Sequence, residues 1–231
     1  MDIKLYYEEK GKGIPLVLLH GNGDDGSYFK HQVDYFSSKY RVITVDTRGH
    51  GKSPRGTAPF TMDQFVEDLK DLLDDLKIKK MILLGFSDGA NIAIKFALKY
   101  SDMIDVLILN GADLTTKGVK KSVQIPIEIG YRIAKLSSKK SEEAKLKAEM
   151  LGLMVNEPNI DYRDLSSIKV PTLVIVGTKD MIKEKHSRLI ADSLPNSEFK
   201  IIEGPHHIAN KNPEEFNNEV EKYLDKNIKK W

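Results

Sequence analysis

The stretch Met81-Ile82-Leu83-Leu84-Gly85-Phe86-Ser87-Asp88-Gly89-Ala90-Asn91 decides how the rest of the chain is read. Met81–Leu84 is continuously apolar, as expected of a strand covered on both faces. From about Asp88 the pattern turns helical: across Asn91–Tyr100, Ala93 with Ala97 and Ile94 with Leu98 fall on neighbouring helical positions. Strand and helix are joined by Gly85-Phe86-Ser87-Asp88-Gly89 alone. A turn that sharp holds the Ser87 hydroxyl clear of the sheet. The flanking glycines let the backbone turn tightly and let the helix approach the strand. The helix N-terminus favours negative charge developing nearby.

Working outward, strand and helix repeat. Ile14–His20 is an apolar run ending in Gly21-Asn22-Gly23, Arg41–Asp46 ends in the loop Thr47–Ser53, and Lys80–Phe86 runs into Ser87. Ile104–Asn110 and Val170–Gly177 repeat the pattern, Phe199–Ile202 is a shorter version, and Met1–Tyr7 alternates as a strand does. Asp63–Leu76 places Phe65, Val66, Leu69, Leu72, Leu73 and Leu76 on one helical stripe. Pro213–Leu224 starts with an N-cap asparagine and an N1 proline. Alternating units of this kind predict an α/β fold in three layers, with a mostly parallel central sheet and helices on both faces.

One segment breaks the alternation. Residues 113–168 offer no convincing strand, whereas Ser122–Leu136 and Ser141–Val155 read as helices. The expected organisation is a core of residues 1–112 and 169–231 with a helical lid insertion at 113–168. A long crossover lying on the sheet face is the alternative.

Composition bounds the function. The 231 residues are 40% hydrophobic and 30% charged, which suits a soluble chain with a buried core. The 36 Lys and Arg nearly balance 34 Asp and Glu, which excludes a strongly basic nucleic-acid binder and an acidic disordered chain. With no cysteine, disulfides, Cys-ligated zinc, iron–sulfur clusters and a Cys nucleophile are excluded. The longest apolar runs, Leu16–Leu19 and Leu173–Val176, are far short of the roughly 18 residues of a membrane span. The N-terminus lacks the apolar core of a signal peptide, so a cytoplasmic protein is expected. The expected partner is a small-molecule substrate, with no nucleic acid, cofactor or metal; oligomeric state is not legible.

Serine is a poor nucleophile without a base. Behind a strand–turn–helix serine the partners follow in the order acid, then histidine. Asp180 follows the strand Leu173–Val176, and His206 and His207 follow Phe199–Ile202. Spacing alone leaves the choice of histidine open. Asp113, after Ile104–Asn110, rivals Asp180 as the acid, with Asp180 favoured. A tetrahedral oxyanion needs donors, for which the backbone N–H groups of Asp88 and Asn22 are the candidates. His20 and His50 read as braces of their own loops. Asp24, Asp25 and Asp88 read as solvated or helix-end carboxylates, with a cation-favouring site mouth as the alternative. Met150 and Met154 read as lid packing, and Lys139-Lys140 as a solvated face.

These motifs together resemble an α/β-hydrolase fold protein with a short helical lid. The resemblance rests on His20-Gly21-Asn22, Asp46-Thr47-Arg48-Gly49-His50-Gly51-Lys52-Ser53, Gly85–Gly89, Pro171–Asp180 and His206–Phe216. In similar proteins a Pro-Glu pair stands seven residues after the catalytic histidine; Pro213-Glu214 stands seven after His206, which selects His206 over His207. Pro205 departs from the glycine often found just before that histidine. The resemblance implies the esterases, lipases, thioesterases, C–C-bond hydrolases and aminopeptidases of the fold. Members that dehalogenate or open epoxides carry aspartate where Ser87 stands, so those reactions are not expected; perhydrolysis as a side reaction stays open. The leading expectation is a serine hydrolase cleaving a small ester through an acyl-enzyme, and its rival is a ligand sensor that keeps the triad. Residues 113–149 carry nine basic and five acidic side chains. A basic lid of that kind suggests attraction of anionic or acyl-chain-bearing substrates.

Overall fold

The computed structural model describes residues 2–228. Its strands are β1 (Tyr7–Lys10), β2 (Pro15–Leu19), β3 (Arg41–Val45), β4 (Met81–Phe86), β5 (Ile104–Asn110), β6 (Thr172–Lys179) and β7 (Ser197–Pro205). They form one sheet in the order β1-β3-β2-β4-β5-β6-β7. β1 runs antiparallel to β3, and the other neighbours pair in parallel. The helices are α1 (Lys30–Phe36), α2 (Met62–Asp75), α3 (Asp88–Tyr100), α4 (Lys121–Ser137), α5 (Glu142–Asn156), α6 (Glu184–Ser193), α7 (Ile208–Lys211) and α8 (Pro213–Asn227).

The apolar strands are sorted by their own alternation. Leu16, Leu18, Val42, Ile82, Leu84 and Ile108 point to one face, where they pack with Phe36 of α1 and with Phe216, Val220 and Leu224 of α8. Val17, Leu19, Ile43, Leu83, Leu107 and Leu109 point to the other, against Phe65 and Leu69 of α2, Phe96 of α3 and Ile190 of α6. Two covered faces explain why the central residues of these strands are predominantly apolar on both sides. From β2 the chain steps to β3 on one side, then returns to β4 on the other. The loops after β2 and β4 therefore lie side by side at the carboxyl ends of adjacent strands, where parallel sheets place their sites.

Two strand readings shift. The alternation over 1–7 begins on Met1, which lies outside the described residues, and the paired strand is Tyr7–Lys10. Asp2 accepts hydrogen bonds from Arg48 Nη1 and Thr57 N, which hold this segment on the Arg48 loop; Ile3 and Leu5 are still buried. β7 extends beyond Phe199–Ile202 because it is an edge strand, and only Ile202 within it is fully buried. Helices α1 and α6 are short, seven and ten residues, and were not marked from the sequence.

The Asp46–Ser53 motif builds a rigid corner. Arg48 is fully buried, with Nε and Nη2 donating to the two oxygens of Asp68 at 2.7 Å each and Nη1 donating to Asp2 and to the Arg55 carbonyl. Such a charge is tolerable inside because every side of the guanidinium fork is paired. Asp46 accepts from the backbone N–H groups of Gly26 and Lys52, which clamps the loop after β3 to the loop after β2. Among the described residues no helix is long and apolar enough to cross a membrane.

Between β5 and β6, α4 and α5 pack against each other. Arg55 holds Glu149 of α5 through two hydrogen bonds, and Lys120 Nζ, just before α4, donates to the Asp180 carbonyl at 2.6 Å. The outer side of α4 leaves Ile125, Ile129, Ile133 and Leu136 exposed at 51, 53, 61 and 84%.

Candidate active site

Ser87 stands between the last residue of β4 and the first of α3, with φ 53° and ψ −120°. A non-glycine residue held there costs about 1–3 kcal/mol, a strain that surrounding structure must sustain. The neighbours show how. A Cβ on Gly85 would lie 2.3 Å from the Gly89 carbonyl oxygen, and one on Gly89 would lie 2.1 Å from that of Leu19. Helix α3 thus sits too close to β4 and β2 for any side chain at either glycine. Ser87 occupies the N-cap position, yet its side chain makes no capping bond. Its hydroxyl is left for His206, whose Nε2 lies 3.0 Å from Ser87 Oγ.

The chain of contacts continues. His206 Nδ1 is 2.7 Å from Asp180 Oδ1, and both residues are buried. Asp180 Oδ1 also accepts from the Ile182 N–H at 2.9 Å. The three side chains come from the ends of β4, β6 and β7, so the sheet fixes their spacing. The ring of His206 also rests against Phe86, with centroids 4.9 Å apart. Gly111, at φ +66°, lies beneath the ring: a Cβ there would fall 2.7 Å from His206 Cε1.

The rivals are elsewhere. The hydrogen-bond partner of Ser87 Oγ is His206 and not His207, whose ring lies near Phe86 and Tyr28 and whose basicity burial lowers. Asp113 is not at the histidine. It exchanges hydrogen bonds with Asn91, accepting from Nδ2 at 3.0 Å and donating its own N–H to Oδ1 at 2.9 Å. His20 Nε2 accepts from the Thr47 N–H, while Nδ1 donates to the Gly21 carbonyl at 2.7 Å. His50 Nδ1 is 3.0 Å from the Arg48 carbonyl, and burial beside His20 holds His50 down to about 4. Both rings brace their loops. Asp25 is occupied as a cap, accepting from the Ser27 N–H at 2.8 Å.

Asn22 and Asp88 meet directly. Asn22 Nδ2 donates to Asp88 Oδ2 and to the Met150 carbonyl of α5, both at 2.9 Å. Among the described residues neither backbone N–H donates to a protein acceptor. The serine turn is thus accompanied by two backbone N–H groups with no protein acceptor among the described residues.

A cavity of about 20 Å³ opens on Ser87 and is also lined by Asp88, Asp113, Gln124 and Glu157. Burial pushes Asp113 up to about 7, against the Asn91 hydrogen bond and with the help of Asp88. Burial raises Asp88 as well, opposed by Asn22 and His206, and raises Glu157, opposed by the Met62 N–H and Lys95. Of Asp24, Asp25 and Asp88, only Asp88 lines this cavity. Gln124, Glu157 and Gly111 were not singled out in the sequence. Gly111 had a local signal, standing at the end of an apolar strand; the other two had none. Among the described residues no cluster of His, Asp and Glu has the geometry to hold a metal. A surface concavity of about 700 Å³ around Tyr6, Glu8, Asp25 and Lys52 does not include Ser87 in its lining.

Comparison with known proteins places this geometry. The α/β hydrolase fold family matches residues 14–125. The AB hydrolase superfamily protein YisY of Bacillus subtilis is 30% identical over 212 residues, covering 78% of this chain and 79% of its own. The (E)-2-((N-methylformamido)methylene)succinate hydrolase of Acinetobacter baylyi is 26% identical over 246 residues, covering 95% of this chain and 94% of its own. The solved structure of a thermophilic esterase from Thermogutta terrifontis is 26% identical and superposes with a TM-score of 0.80, over 97% of this chain and 94% of its own. Sheet order, serine turn and relatives agree, and this chain belongs to the α/β-hydrolase fold superfamily.

Proposed function

We propose that the protein is a serine hydrolase that cleaves a small carboxylic ester through an acyl-enzyme intermediate. The observation that carries this reading is the unbroken line Ser87 Oγ, His206, Asp180, at 3.0 and 2.7 Å. Ser87 Oγ attacks the carbonyl carbon while its proton passes to His206 Nε2. The oxyanion takes the N–H groups of Asn22 and Asp88. As the tetrahedral species collapses, the C–O bond to the alcohol breaks and His206 returns the proton to the leaving oxygen. Water then attacks the acyl group with His206 as base, releasing the acid and restoring Ser87. Asp180 holds His206 in the tautomer with hydrogen on Nδ1 and stabilises the imidazolium. In the same reading residues 113–168 form a lid: Asn22 ties Met150 to the serine turn, and Lys120 ties the start of α4 to the Asp180 loop.

Fluorophosphonate labelling with turnover on short p-nitrophenyl esters tests the proposal. Ser87→Ala is expected to abolish labelling and lower turnover by about 10⁴-fold or more. Retained turnover in that variant would remove the serine mechanism. Labelling of the wild type with no turnover on ester, thioester or amide substrates would favour a ligand sensor.

A further inference from the structure

The cavity beside Ser87 is lined by the carboxyl residues Asp88, Asp113 and Glu157 and by Gln124, with Val119, Ile127, Met154 and Met181 as its apolar wall. Asp88 Oδ2 takes Asn22 Nδ2, Asp113 Oδ1 takes Asn91 Nδ2, and Glu157 Oε2 takes the Met62 N–H at 3.0 Å. In each case the second oxygen receives no donor among the described residues. No lysine or arginine lines the cavity. Gln124 supplies an independent pointer. It is only 7% exposed, its Nε2 is spent on the Met154 carbonyl at 3.3 Å, and its Oε1 has no hydrogen-bond partner. A buried amide oxygen without a donor is uncommon, because leaving one costs about 1–3 kcal/mol. Three carboxyl residues line this one space, and Gln124, whose carbonyl is an orphan, lines it with them; such a lining is complementary to a group that brings several donors and positive charge.

Size and position narrow the group. A cavity of about 20 Å³ holds one water-sized group, which suits a primary ammonium and not a trimethylammonium. Asp88 directly follows Ser87, so the site lies close to any acyl group carried on the serine.

We propose that this cavity is an acyl-side subsite for a primary ammonium group one or two carbons from the scissile carbonyl, so that the preferred substrates are esters of small amino acids. The proposal rests on the serine hydrolase reading and deepens it. Asp88, Asp113 and Glu157 supply the counter-charge, Gln124 Oε1 accepts one N–H, and the apolar side chains of Ile127 and Met154 border the linking carbons. The raised affinities of Asp113, Asp88 and Glu157 for protons fit a site whose positive charge is delivered by a ligand.

β-Alanine ethyl ester and ethyl butyrate differ only by an ammonium in place of a methyl group. Calorimetric titration of Ser87→Ala with each at about pH 8, where the amine remains charged, reads the subsite without the chemistry. The ammonium ester is expected to bind at least tenfold tighter, the least that one charged hydrogen bond contributes. Adding Asp113→Asn or Glu157→Gln to that variant is expected to cut the ratio severalfold, and Gln124→Met to cut it less. A ratio of one or below, or a ratio that ignores all three substitutions, overturns the subsite. The wild-type enzyme gives the parallel readout in kcat/KM, each value divided by the ester's own hydroxide rate. Turnover of both esters without cationic preference overturns the subsite alone. Cationic preference in binding, with no turnover and no labelling of the wild type, leaves the subsite standing and overturns the serine mechanism.

Discussion

The sheet and the α4–α5 pair use apolar residues in opposite ways. Leu84 and Ile108 in the sheet are completely covered, while Leu136 on α4 is 84% exposed. The serine turn is locked by backbone contacts that no side chain could enter. The helical pair is tied down by a few long polar side chains such as Arg55, Asn22 and Lys120. In the proposed reading, the sheet holds the reacting groups and the helical pair covers the substrate pocket. Charge divides the same way. Arg132, Lys135, Lys139 and Lys140 face solvent, whereas the cavity under the pair is acidic, so the basic composition of this segment does not describe what the site presents.

The sharpest test of this contrast sits at the two adjacent histidines. His206→Ala is expected to lower ester turnover by about 10⁴-fold or more, and His207→Ala by no more than about threefold, measured as kcat/KM. The reverse order would move the base to His207. Next in size is Leu84→Ala, which empties a fully covered position and is expected to cost about 3–4 kcal/mol in denaturant unfolding. Its counterpart on the exposed face, Leu136→Ala, is expected to stay within about 0.5 kcal/mol of wild type. Comparable losses at both positions would mean that the α4 face is covered in solution.

A smaller effect separates the acidic cavity from the core. The folded protein holds the Asp113 proton up to about 7, whereas an unfolded chain releases it near about 4. Between those values the folded state binds more protons, so this group's contribution to stability is present at low pH and is lost as pH rises through about 7. Asp113→Asn is expected to flatten that decline and to melt higher than wild type at about pH 8. Thermal melts across the range check it; an unchanged slope would place the Asp113 carboxyl in water. Greater stability paired with weaker cationic selectivity is the trade expected of a residue kept for binding.

The sequence specified what local pattern can specify. Unbroken apolar runs such as Val106–Leu109 mark strands covered twice, and the stripe of Phe65, Leu69 and Leu72 marks a helix on one face. The serine turn was legible because Gly85 and Gly89 must stand within two residues of Ser87 for α3 to reach β4. The Asp46–Ser53 loop was legible in part, since the Lys52 N–H and the Ser53 hydroxyl close back onto Asp46, while Gly26 and Asp68 tie it to distant segments. Tertiary structure decided everything that depends on distant segments meeting. Strand-to-histidine spacing alone could not separate His206 from His207, although the resemblance selects His206; the contact of His206 with Ser87 joins residues 119 apart. Asp180 and Asp113 follow neighbouring strands alike; only packing gives one to the histidine and the other to Asn91. Gln124 and Glu157 carry no local mark, since their meaning comes from α4 and α5 folding over a serine that lies far away in the chain.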